Sequence, residues 1–378
     1  MSGIRLLLAV SLLLCTHPSR AVDAIPAPPA VKASSYLVMD FHSGRLLAAD
    51  DADKRIAPAS LTKIMTSYVI GAELDSGHIG LDDQVTISAK AWRMPGSRMF
   101  IEVNKRVAVH DLINGVVIQS GNDSSVALAE HISGDETVFA QLMNQHAARL
   151  GLQDTHFTNA TGLPDPEHYT TDHDLAILAA ALIRDHPQMY AVHSHKEFTF
   201  NEIKQSNRNR LLWQDETVDG VKTGHTEEAG YCLVASALRD GMRLITVVTG
   251  MESENARTQA TQALLNYGFR FFETRKLYAA HQALTSAKVW KAEVDTIDLG
   301  VAEDLYLTIG RGQFDQLNPV FEVPGTITAP VEQGSAQGRL KVMLADEEVL
   351  SATLHALAPA PEGGLLRRLQ DGIYLLFQ

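Results

Sequence analysis

Three short strings between residues 60 and 224 constrain this sequence more than any other feature. In chain order they are Ser60-Leu61-Thr62-Lys63, Ser120-Gly121-Asn122 and Lys222-Thr223-Gly224. One string alone is weak evidence, because a Ser-x-x-Lys pattern is expected roughly once by chance in a chain of this length. A Lys-Thr-Gly string in the right place is much rarer, and the ordered set of three is rarer still. The set predicts a fold that gathers three distant segments around one site.

The first string contains the parts of an activated nucleophile. Ser60 and Lys63 are three residues apart on a helix predicted from Ser60 to about Leu74, so their side chains can touch. At the start of that helix Ser60 would also keep a free backbone N–H. A lysine can take the serine proton only when it is neutral, and burial near a second cation, Lys222, would lower its pKa. The alternative is an ordinary exposed lysine beside a capping serine, and for this string alone that simpler interpretation is favoured.

The second string interrupts a helical pattern. Apolar spacing predicts a helix up to Val117, a break at Ser120-Gly121-Asn122, and a further helical run to Ile132. Such a loop can aim a hydroxyl and an amide into a cleft. Ser120 could then pass a proton to the leaving amine, and Asn122 could hold Lys63 or the substrate backbone. A plain helix end with a glycine explains the same residues, and both interpretations can hold together.

The third string precedes a predicted strand. Gly224 lets a substrate chain lie against the strand edge, which is the β-addition mode of peptide binding. Lys222 and Thr223 can meet a terminal carboxylate or a proton in transit, and the backbone N–H groups of His225 and Ser60 can form an oxyanion hole. The His225 side chain either lines the site or lies on the surface. No set of histidines and carboxylates has zinc-ligand spacing, so we expect no metal and no other cofactor.

The beginning of the chain indicates export. Residues 1–24 resemble a cleavable signal peptide, in which Arg5 precedes a short apolar run and small residues mark the cleavage site. The run is too short to span a membrane, and a bulky leucine before Cys15 disfavours lipidation. The formal charge of -13 and the lack of a basic run argue against nucleic acid as a partner. Cys232 loses its only possible disulfide partner with the signal, and its apolar neighbours predict a packed core residue.

Local patterns predict an α+β fold. Strands near both ends of residues 30–275, with helices between them, indicate one antiparallel sheet that carries a helical cluster. Asp240-Gly241 lies between two apolar runs and predicts the turn of a β-hairpin. After about Arg275 the chain changes to short alternating strands separated by turns, which predicts a small all-β sandwich over residues 285–360.

The tail, residues 363–378, is a separate signal. Its apolar residues, Phe377 included, gather on one helical face, with Arg367 and Arg368 largely opposite. The helix is too short to span a membrane but fits one that lies in the lipid interface, with its arginines near the headgroups. The alternative is a helix that packs back on a domain. A preceding leash of prolines and glycines favours the detachable anchor.

From about Ser35 to its end the chain resembles the D-alanyl-D-alanine carboxypeptidases, the low-molecular-mass penicillin-binding proteins of bacterial envelopes. The resemblance extends beyond the three strings to the residues around them and to the tail. The matching segments are residues 57–66, 118–123, 218–226, 305–313 and the amphipathic tail. The implied fold is penicillin-binding and β-lactamase-like, followed by the β-rich second domain.

The resemblance implies a specific activity. Such enzymes remove the terminal D-alanine from peptidoglycan pentapeptide stems through an acyl-enzyme on the serine, here Ser60, and β-lactam antibiotics acylate the same serine. The segment Ser206-Asn207-Arg208-Asn209 implies that Arg208 helps to bind the substrate carboxylate, although the run from Arg208 to Lys222 is slightly shorter than the family form. Together with the two ends of the chain, the resemblance implies a periplasmic protein attached peripherally to the outer face of the inner membrane.

Three alternatives remain open from the sequence. A β-lactamase shares Ser-x-x-Lys and Lys-Thr-Gly, but class A enzymes carry Ser-Asp-Asn where this chain has Ser-Gly-Asn, and they lack a β-rich second domain. A non-catalytic envelope protein that binds stem peptides is disfavoured because all the reactive residues are intact: Ser60, Lys63, Ser120, Asn122 and Lys222. A D,D-endopeptidase is a close chemical variant that the sequence does not separate.

Overall fold

The computed structural model describes residues 25–376, so the predicted signal peptide and Phe377 lie outside the described residues. The strands before residue 272 are β1 (Ser35–Asp40), β2 (Leu46–Asp50), β3 (Gln84–Thr86), β4 (Arg106–Ala108), β5 (Glu197–Phe200), β6 (Ile203–Ser206), β7 (Val218–Thr226), β8 (Gly230–Arg239) and β9 (Met242–Met251). The helices are α1 (Lys63–Asp75), α2 (Ala89–Trp92), α3 (Val109–Asn114), α4 (Asn122–Ser133), α5 (Glu136–Leu150), α6 (Asp172–Asp185), α7 (Pro187–Ala191), α8 (Leu211–Gln214), α9 (Glu254–Phe271) and α10 (Leu365–Leu375). The later strands are β10 (Phe272–Tyr278), β11 (Thr285–Trp290), β12 (Thr296–Gly300), β13 (Leu305–Gly310), β14 (Leu317–Glu322), β15 (Ile327–Thr328), β16 (Ala336–Leu344) and β17 (Glu347–Ala356).

A five-stranded antiparallel sheet organises the first part of the chain, in the order β2-β1-β9-β8-β7. The predicted hairpin is confirmed as β8 and β9. Its turn residues Asp240 and Gly241 have φ angles of 49° and 81°, the left-handed values that a tight two-residue hairpin turn requires. β7, which carries the third string, is an edge strand, and one of its two edges remains available to other segments.

The two faces of this sheet are covered differently. α9 packs on one face around Leu264 and Leu265, and the predicted helical cluster packs on the other, around α1. α1 is apolar on nearly every side, and each of its residues from Lys63 to Gly71 is buried. A helix that is hydrophobic all round belongs in a core, so α1 lies at the centre of the domain with Lys63 at its buried end.

The structure corrects two details of the predicted helices. Ser60 does not lie in α1 but in a preceding 3₁₀ turn, Ala59–Thr62, and the α-helix begins at Lys63. Before the second string, the chain continues from α3 into a π-helical segment, Gly115–Gln119, which ends at Ser120. The 3₁₀ turn and the π segment both lie next to the predicted site residues, where a π segment is a frequent feature. One helix, α5, was not predicted from the sequence at all.

The C-terminal strands form a second core. A six-stranded sheet, β14-β16-β17-β12-β11-β15, and the β10–β13 pair enclose a separate group of buried apolar side chains that includes Val289, Leu299 and Leu340. The predicted α+β fold with a C-terminal all-β domain is therefore confirmed. The two cores meet at a polar junction, where Thr274 Oγ1 donates to Asp40 Oδ2 over 2.6 Å.

The tail forms α10, whose polar side contacts the β domain. The Asp371 carboxylate is 6% exposed and accepts a hydrogen bond from the backbone N–H of Lys291 over 2.6 Å. Arg367 pairs with Asp295, and Arg368 pairs with Glu362 at 2.6 Å. The arginines thus meet acidic side chains of the protein, while the apolar face points away from it. Across residues 25–376, no helix combines the length and the apolar character that crossing a membrane requires.

Candidate active site

The 3₁₀ turn brings the first two candidate residues together. In such a turn the side chains at positions i and i+3 eclipse each other, and Lys63 Nζ lies 3.2 Å from Ser60 Oγ. The turn is held from behind by Gly162. A Cβ at Gly162 would stand 1.7 Å from the carbonyl oxygen of Ala59, so only glycine allows the two backbones to approach this closely.

Lys63 is fully buried and has three polar neighbours. Besides Ser60, its Nζ donates to Asn122 Oδ1 over 2.7 Å and to the carbonyl oxygen of Thr161 over 2.6 Å. Burial and the positive charge of Arg208 together lower the Lys63 pKa to about 7. A substantial fraction of this amine is therefore neutral at neutral pH, as the sequence argument required of a general base.

The second string forms a sharp corner at the end of the π segment. Ser120 adopts the left-handed conformation, with φ of 62° and ψ of 36°, which is uncommon for a residue with a side chain. Asn122 then begins α4, and its Nδ2 donates to the carbonyl oxygen of Pro95 over 2.7 Å. That bond leaves the Asn122 Oδ1 aimed at Lys63. The predicted break in the helix is confirmed. The left-handed conformation of Ser120 directs its hydroxyl into the cleft.

The third string places a second buried amine, that of Lys222, in the same cleft. Lys222 Nζ donates to Ser120 Oγ over 3.0 Å and to the carbonyl oxygen of Thr223 over 3.1 Å. Burial is the main cause that lowers the Lys222 pKa well below its ordinary value, and the positive charge of Lys63 lowers it further. Because repulsion between two amines is mutual, each proton held by one makes the other amine easier to deprotonate.

Gly224 also has a packing role, in addition to the substrate-facing role predicted from the sequence. A Cβ there would lie 3.1 Å from Leu61 Cγ and 3.2 Å from the carbonyl oxygen of Pro58. The missing side chain thus lets β7 press against the turn that carries the nucleophile. His225, the next residue, has an exposed side chain whose ring stacks on Tyr231 with centroids 4.0 Å apart, so it both lines the cleft and faces solvent.

Two buried side chains hold the start of β7 in place. Asn209 Nδ2 donates to the carbonyl oxygen of Gly220 over 2.9 Å, and the Nδ1–H of His193 donates to that of Val221 over 2.8 Å. The backbone N–H of Asn209 in turn donates to Asn207 Oδ1 over 3.0 Å. The segment that carries Arg208 is thereby tied to the strand that carries Lys222.

The cleft between these elements has a volume of about 370 Å³, and three arginines and one carboxylate, Glu254, line it, so the wall carries a net positive charge. Arg208 borders it, as does Arg257 from the first turns of α9. Arg257 is 2% exposed, and its Nη2 donates to the carbonyl oxygen of Arg208 over 3.4 Å. All nine candidate residues come together here: Ser60, Lys63, Ser120, Asn122, Arg208, Lys222, Thr223, Gly224 and His225.

Sequence reasoning missed four residues that shape the site: Asn209, Thr161, Gly162 and Arg257. Gly162 lies two residues before Pro164, and a glycine close to a proline is a turn signal that could have drawn attention to this segment. Arg257 lies 35 positions beyond Lys222 in a helix without a motif, and no local signal identifies it. His168 is also close by but lies behind the turn, where its Nε2 is 2.8 Å from Thr62 Oγ1.

Two further observations concern residues outside the cleft. Cys232 is fully buried and burial raises its pKa to about 11, which confirms the prediction of a packed core residue. Among residues 25–376, no three His, Cys, Asp or Glu side chains are grouped so that they could hold a metal ion.

Comparison with known proteins places this cleft in a family. A family model described as D-alanyl-D-alanine carboxypeptidase matches residues 22–253, and one described as the C-terminal domain of penicillin-binding protein 5 matches residues 272–360. The D-alanyl-D-alanine carboxypeptidase DacA of Haemophilus influenzae is 42% identical over 355 residues, which cover 92% of this chain and 90% of the relative. DacC of Escherichia coli K12 is 41% identical over 365 residues, or 94% of this chain and 91% of the relative.

Solved structures agree with the sequence matches. Penicillin binding protein 5 from Haemophilus influenzae superposes with a TM-score of 0.87 at 42% identity, covering 89% of this chain and all of that one. Penicillin-Binding Protein D2 from Listeria monocytogenes, in its cefotaxime bound form, superposes with a TM-score of 0.60 at 29% identity, covering 65% of this chain and 100% of that one. With one family model spanning more than half of the chain and relatives aligned along nearly all of it, this protein belongs to the D-alanyl-D-alanine carboxypeptidase family.

Proposed function

We propose that this protein is a serine-type D-Ala-D-Ala carboxypeptidase that removes the terminal D-alanine from peptidoglycan pentapeptide stems through an acyl-enzyme on Ser60. The observation that carries the proposal is the environment of Lys63. This amine is fully buried, its pKa is lowered to about 7, and its Nζ lies 3.2 Å from the Ser60 hydroxyl. A buried, partly neutral amine in hydrogen-bond contact with a serine is what general-base activation of that serine needs.

In the acylation step, neutral Lys63 takes the Ser60 proton while Ser60 Oγ attacks the carbonyl carbon of the penultimate D-alanine. The backbone N–H groups of Ser60 and His225 stabilise the negative charge that develops on the carbonyl oxygen. The leaving amine must gain a proton, and the Ser120 hydroxyl, 3.0 Å from Lys222 Nζ, is the donor at that side of the cleft. Water then hydrolyses the ester on Ser60, which releases the shortened stem.

The substrate carboxylate is held by the positively charged wall. Arg208 and Arg257 both border the cleft beside Thr223, and a hydroxyl with two guanidinium groups suits a terminal carboxylate. This role predicts that a chain-terminating D-alanine is preferred to an internal residue. Asn122 keeps Lys63 in place through its Oδ1, at 2.7 Å. β-Lactam antibiotics acylate Ser60 by the same route, because they present a reactive amide beside a carboxylate.

The chain is exported and works at a membrane surface. Residues 1–24 act as the signal peptide, residues 30–275 form the acyltransferase domain, residues 285–360 the β-rich domain, and residues 363–378 the membrane-anchoring helix. The apolar face of α10 supports this proposal, since Leu366 is 83% and Leu376 is 81% exposed. The mature protein is periplasmic and peripherally attached to the outer face of the inner membrane.

One experiment tests the proposed activity against its rivals. The soluble protein is incubated with a penicillin and weighed by mass spectrometry, and D-alanine release from a D-Ala-D-Ala peptide is then assayed. A stable adduct together with D-alanine release is the expected result. Rapid drug turnover without peptide cleavage would indicate a β-lactamase, and an inert protein would indicate a non-catalytic binding role. Cleavage of a cross-linked stem dimer would reveal endopeptidase activity.

The Ser60→Ala variant supplies the control for the nucleophile. We expect no adduct and no D-alanine release from this variant, because its side chain cannot form an ester. An adduct of unchanged mass on Ser60→Ala would place the nucleophile elsewhere.

A further inference from the structure

Glu254 is a cleft carboxylate that the proposed reaction does not use. It is the first residue of α9, directly after the capping Ser253, whose Oγ accepts a hydrogen bond from the backbone N–H of Ala256 over 3.1 Å. Among the cleft-lining residues of the described chain it is the only acidic one. The positive end of the helix dipole stabilises a negative charge at this position. A negative charge therefore lies on the same wall as the arginines.

Arg257, one turn further along α9, has hydrogen-bond capacity that the described chain does not use. Its side chain is buried, and across residues 25–376 its buried Nε has no hydrogen-bond partner. Its Nη2 makes a long bond of 3.4 Å to the carbonyl oxygen of Arg208. Glu254 Oε1 lies 3.9 Å from that Nη2, too far for a hydrogen bond but close enough for an electrostatic attraction. The guanidinium group of Arg257 can thus pair with a carboxylate, and Glu254 is one within reach.

The other partner of Glu254 holds it weakly. Arg210 Nη2 lies 3.3 Å from Glu254 Oε2, and the two side chains are 61% and 44% exposed. Ion pairs exposed to this extent contribute little, because water screens them and long side chains lose freedom when they are held. A small change in the conformation of the Glu254 side chain would bring its carboxylate onto Arg257.

Binding of the substrate brings a second carboxylate to this wall, and this step rests on the proposed function. The terminal carboxylate lies beside Thr223, Arg208 and Arg257, so it approaches the guanidinium group that Glu254 can also reach. Two carboxylates at one guanidinium group repel each other and compete for the same donors. The side chain of the terminal residue starts at the carbon atom that bears this carboxylate. Any charge on that side chain therefore also interacts with Glu254.

We infer that Glu254 is a specificity-determining residue for the leaving side of the substrate. It weakens the binding of the terminal carboxylate by competing for Arg257. It also favours a terminal residue with a positively charged side chain over one with a negatively charged side chain. D-Alanine, whose side chain is a methyl group, experiences only the first effect. The arginines provide the affinity for a chain end, and Glu254 limits that affinity and makes it depend on side-chain charge.

The test uses the full mature protein and two variants of equal net charge, Glu254→Gln and Glu252→Gln. Glu252 is an exposed acid that does not line the cleft, so its variant is the matched control. An acetylated tripeptide that ends in D-Ala-D-Ala gives kcat and KM for D-alanine release. Two competitor peptides, identical except that they end in D-lysine or D-glutamate, give inhibition constants against this substrate.

In Glu254→Gln, we expect KM for D-alanine release to fall about threefold with kcat unchanged, because the lost repulsion acts on the ground state and the transition state alike. The inhibition constant of the D-glutamate peptide divided by that of the D-lysine peptide should fall about tenfold. The reason is that the two side-chain charges change binding about threefold in opposite directions. Both effects should shrink at high ionic strength, and Glu252→Gln should match the wild type.

An unchanged KM together with an unchanged inhibition ratio in Glu254→Gln would overturn the inference. Equal changes in Glu252→Gln would also overturn it, because they would reflect the general surface charge. A lower kcat in Glu254→Gln without a change in the inhibition ratio would contradict it and indicate a structural role at the start of α9. Failure of the wild type to release D-alanine would instead overturn the proposed function, and the inference with it.

Discussion

The cleft and the tail helix depart from the usual distribution of polar and apolar groups in opposite directions. The cleft buries charge-bearing side chains, with Lys63 at 0% and Lys222 at 3% exposure. The tail exposes apolar ones, with Leu366 at 83%. Most soluble proteins avoid both arrangements, because burying a charge and leaving a contiguous apolar patch in water each raise the free energy.

The cleft and the tail differ in which groups offset this free-energy cost. The amines of the cleft have partners inside the protein, among them Asn122, the Thr161 carbonyl and Ser120. The apolar face of α10 has no comparable partner in the described chain, since only its polar side contacts the β domain, through Asp371. The polar groups of the cleft are therefore satisfied within the protein, whereas the exposed apolar face of the tail is the surface that the proposed membrane attachment would cover.

Replacing Lys63 by methionine gives the largest effect and tests whether the cleft depends on its buried amine. We expect kcat/KM for D-alanine release to fall about 10³-fold, because Ser60 loses the base that takes its proton. Penicillin acylation, followed by mass spectrometry, should slow in proportion. Lys105→Met, at an exposed lysine of the same domain, is the matched control and should keep full activity.

The Lys63→Met variant also tests how the free energy of unfolding depends on pH. Between pH 7 and about 10, native Lys63 is largely neutral while the unfolded chain is protonated, so the unfolded state binds more protons. The free energy of unfolding of the wild type, relative to Lys63→Met, should therefore rise with pH in this window and fall as pH drops towards 7. Urea denaturation at pH 7, 8.5 and 10 measures the difference. A constant difference would mean that the amine titrates normally in the fold.

Removing two exposed leucines tests the tail. We expect the double variant Leu366→Ser, Leu369→Ser to bind lipid vesicles about 100-fold more weakly, because each leucine contributes about 1.5 kcal/mol or more when buried in an apolar phase. Cosedimentation with anionic vesicles measures the change, and activity on a soluble peptide should stay the same. Leu81→Ser, at a leucine 52% exposed on the catalytic domain, is the control. Unchanged sedimentation of the double variant would show that the exposed leucines of α10 do not hold the protein on a lipid surface.

The pH dependence of the wild type gives a smaller effect. Because neutral Lys63 is the active form and its pKa is about 7, kcat/KM should fall about tenfold for each pH unit below 7. Vesicle binding, which depends on apolar burial, should change little over the same range. A kcat/KM that is flat from pH 5.5 to 8 would show that Lys63 does not limit the reaction in this way.

The smallest effect concerns how Arg208 is held. In Asn209→Ala, the buried carbonyl of Gly220 loses its donor and the Arg208 segment loosens, so we expect kcat/KM to fall about fivefold, mostly through KM. A peptide that ends in D-alaninamide lacks the carboxylate and should be much less affected. Asn318→Ala, at an exposed position of β14, is the control. Equal losses on both peptides would assign Asn209 a general structural role.

Much of this molecule could be predicted locally. The Asp240-Gly241 turn, the break at Ser120 and the alternating strands of the β domain each follow from a few neighbouring residues, and the structure has them. The start of α1 was wrong by three residues because tertiary contact at Gly162 and Gly224 draws the chain into a 3₁₀ turn around Ser60. Local propensity has no information about that contact.

The sequence by itself determined which reactive groups are present and in what order, because motif, turn and periodicity are properties of adjacent residues. Only the tertiary structure decided that Lys63 is buried and partly neutral and that Arg257 lies beside Arg208. The physical reason is that a pKa depends on desolvation and on charges through space. Those quantities are sums over segments far apart in the chain, and they exist only once the segments have packed.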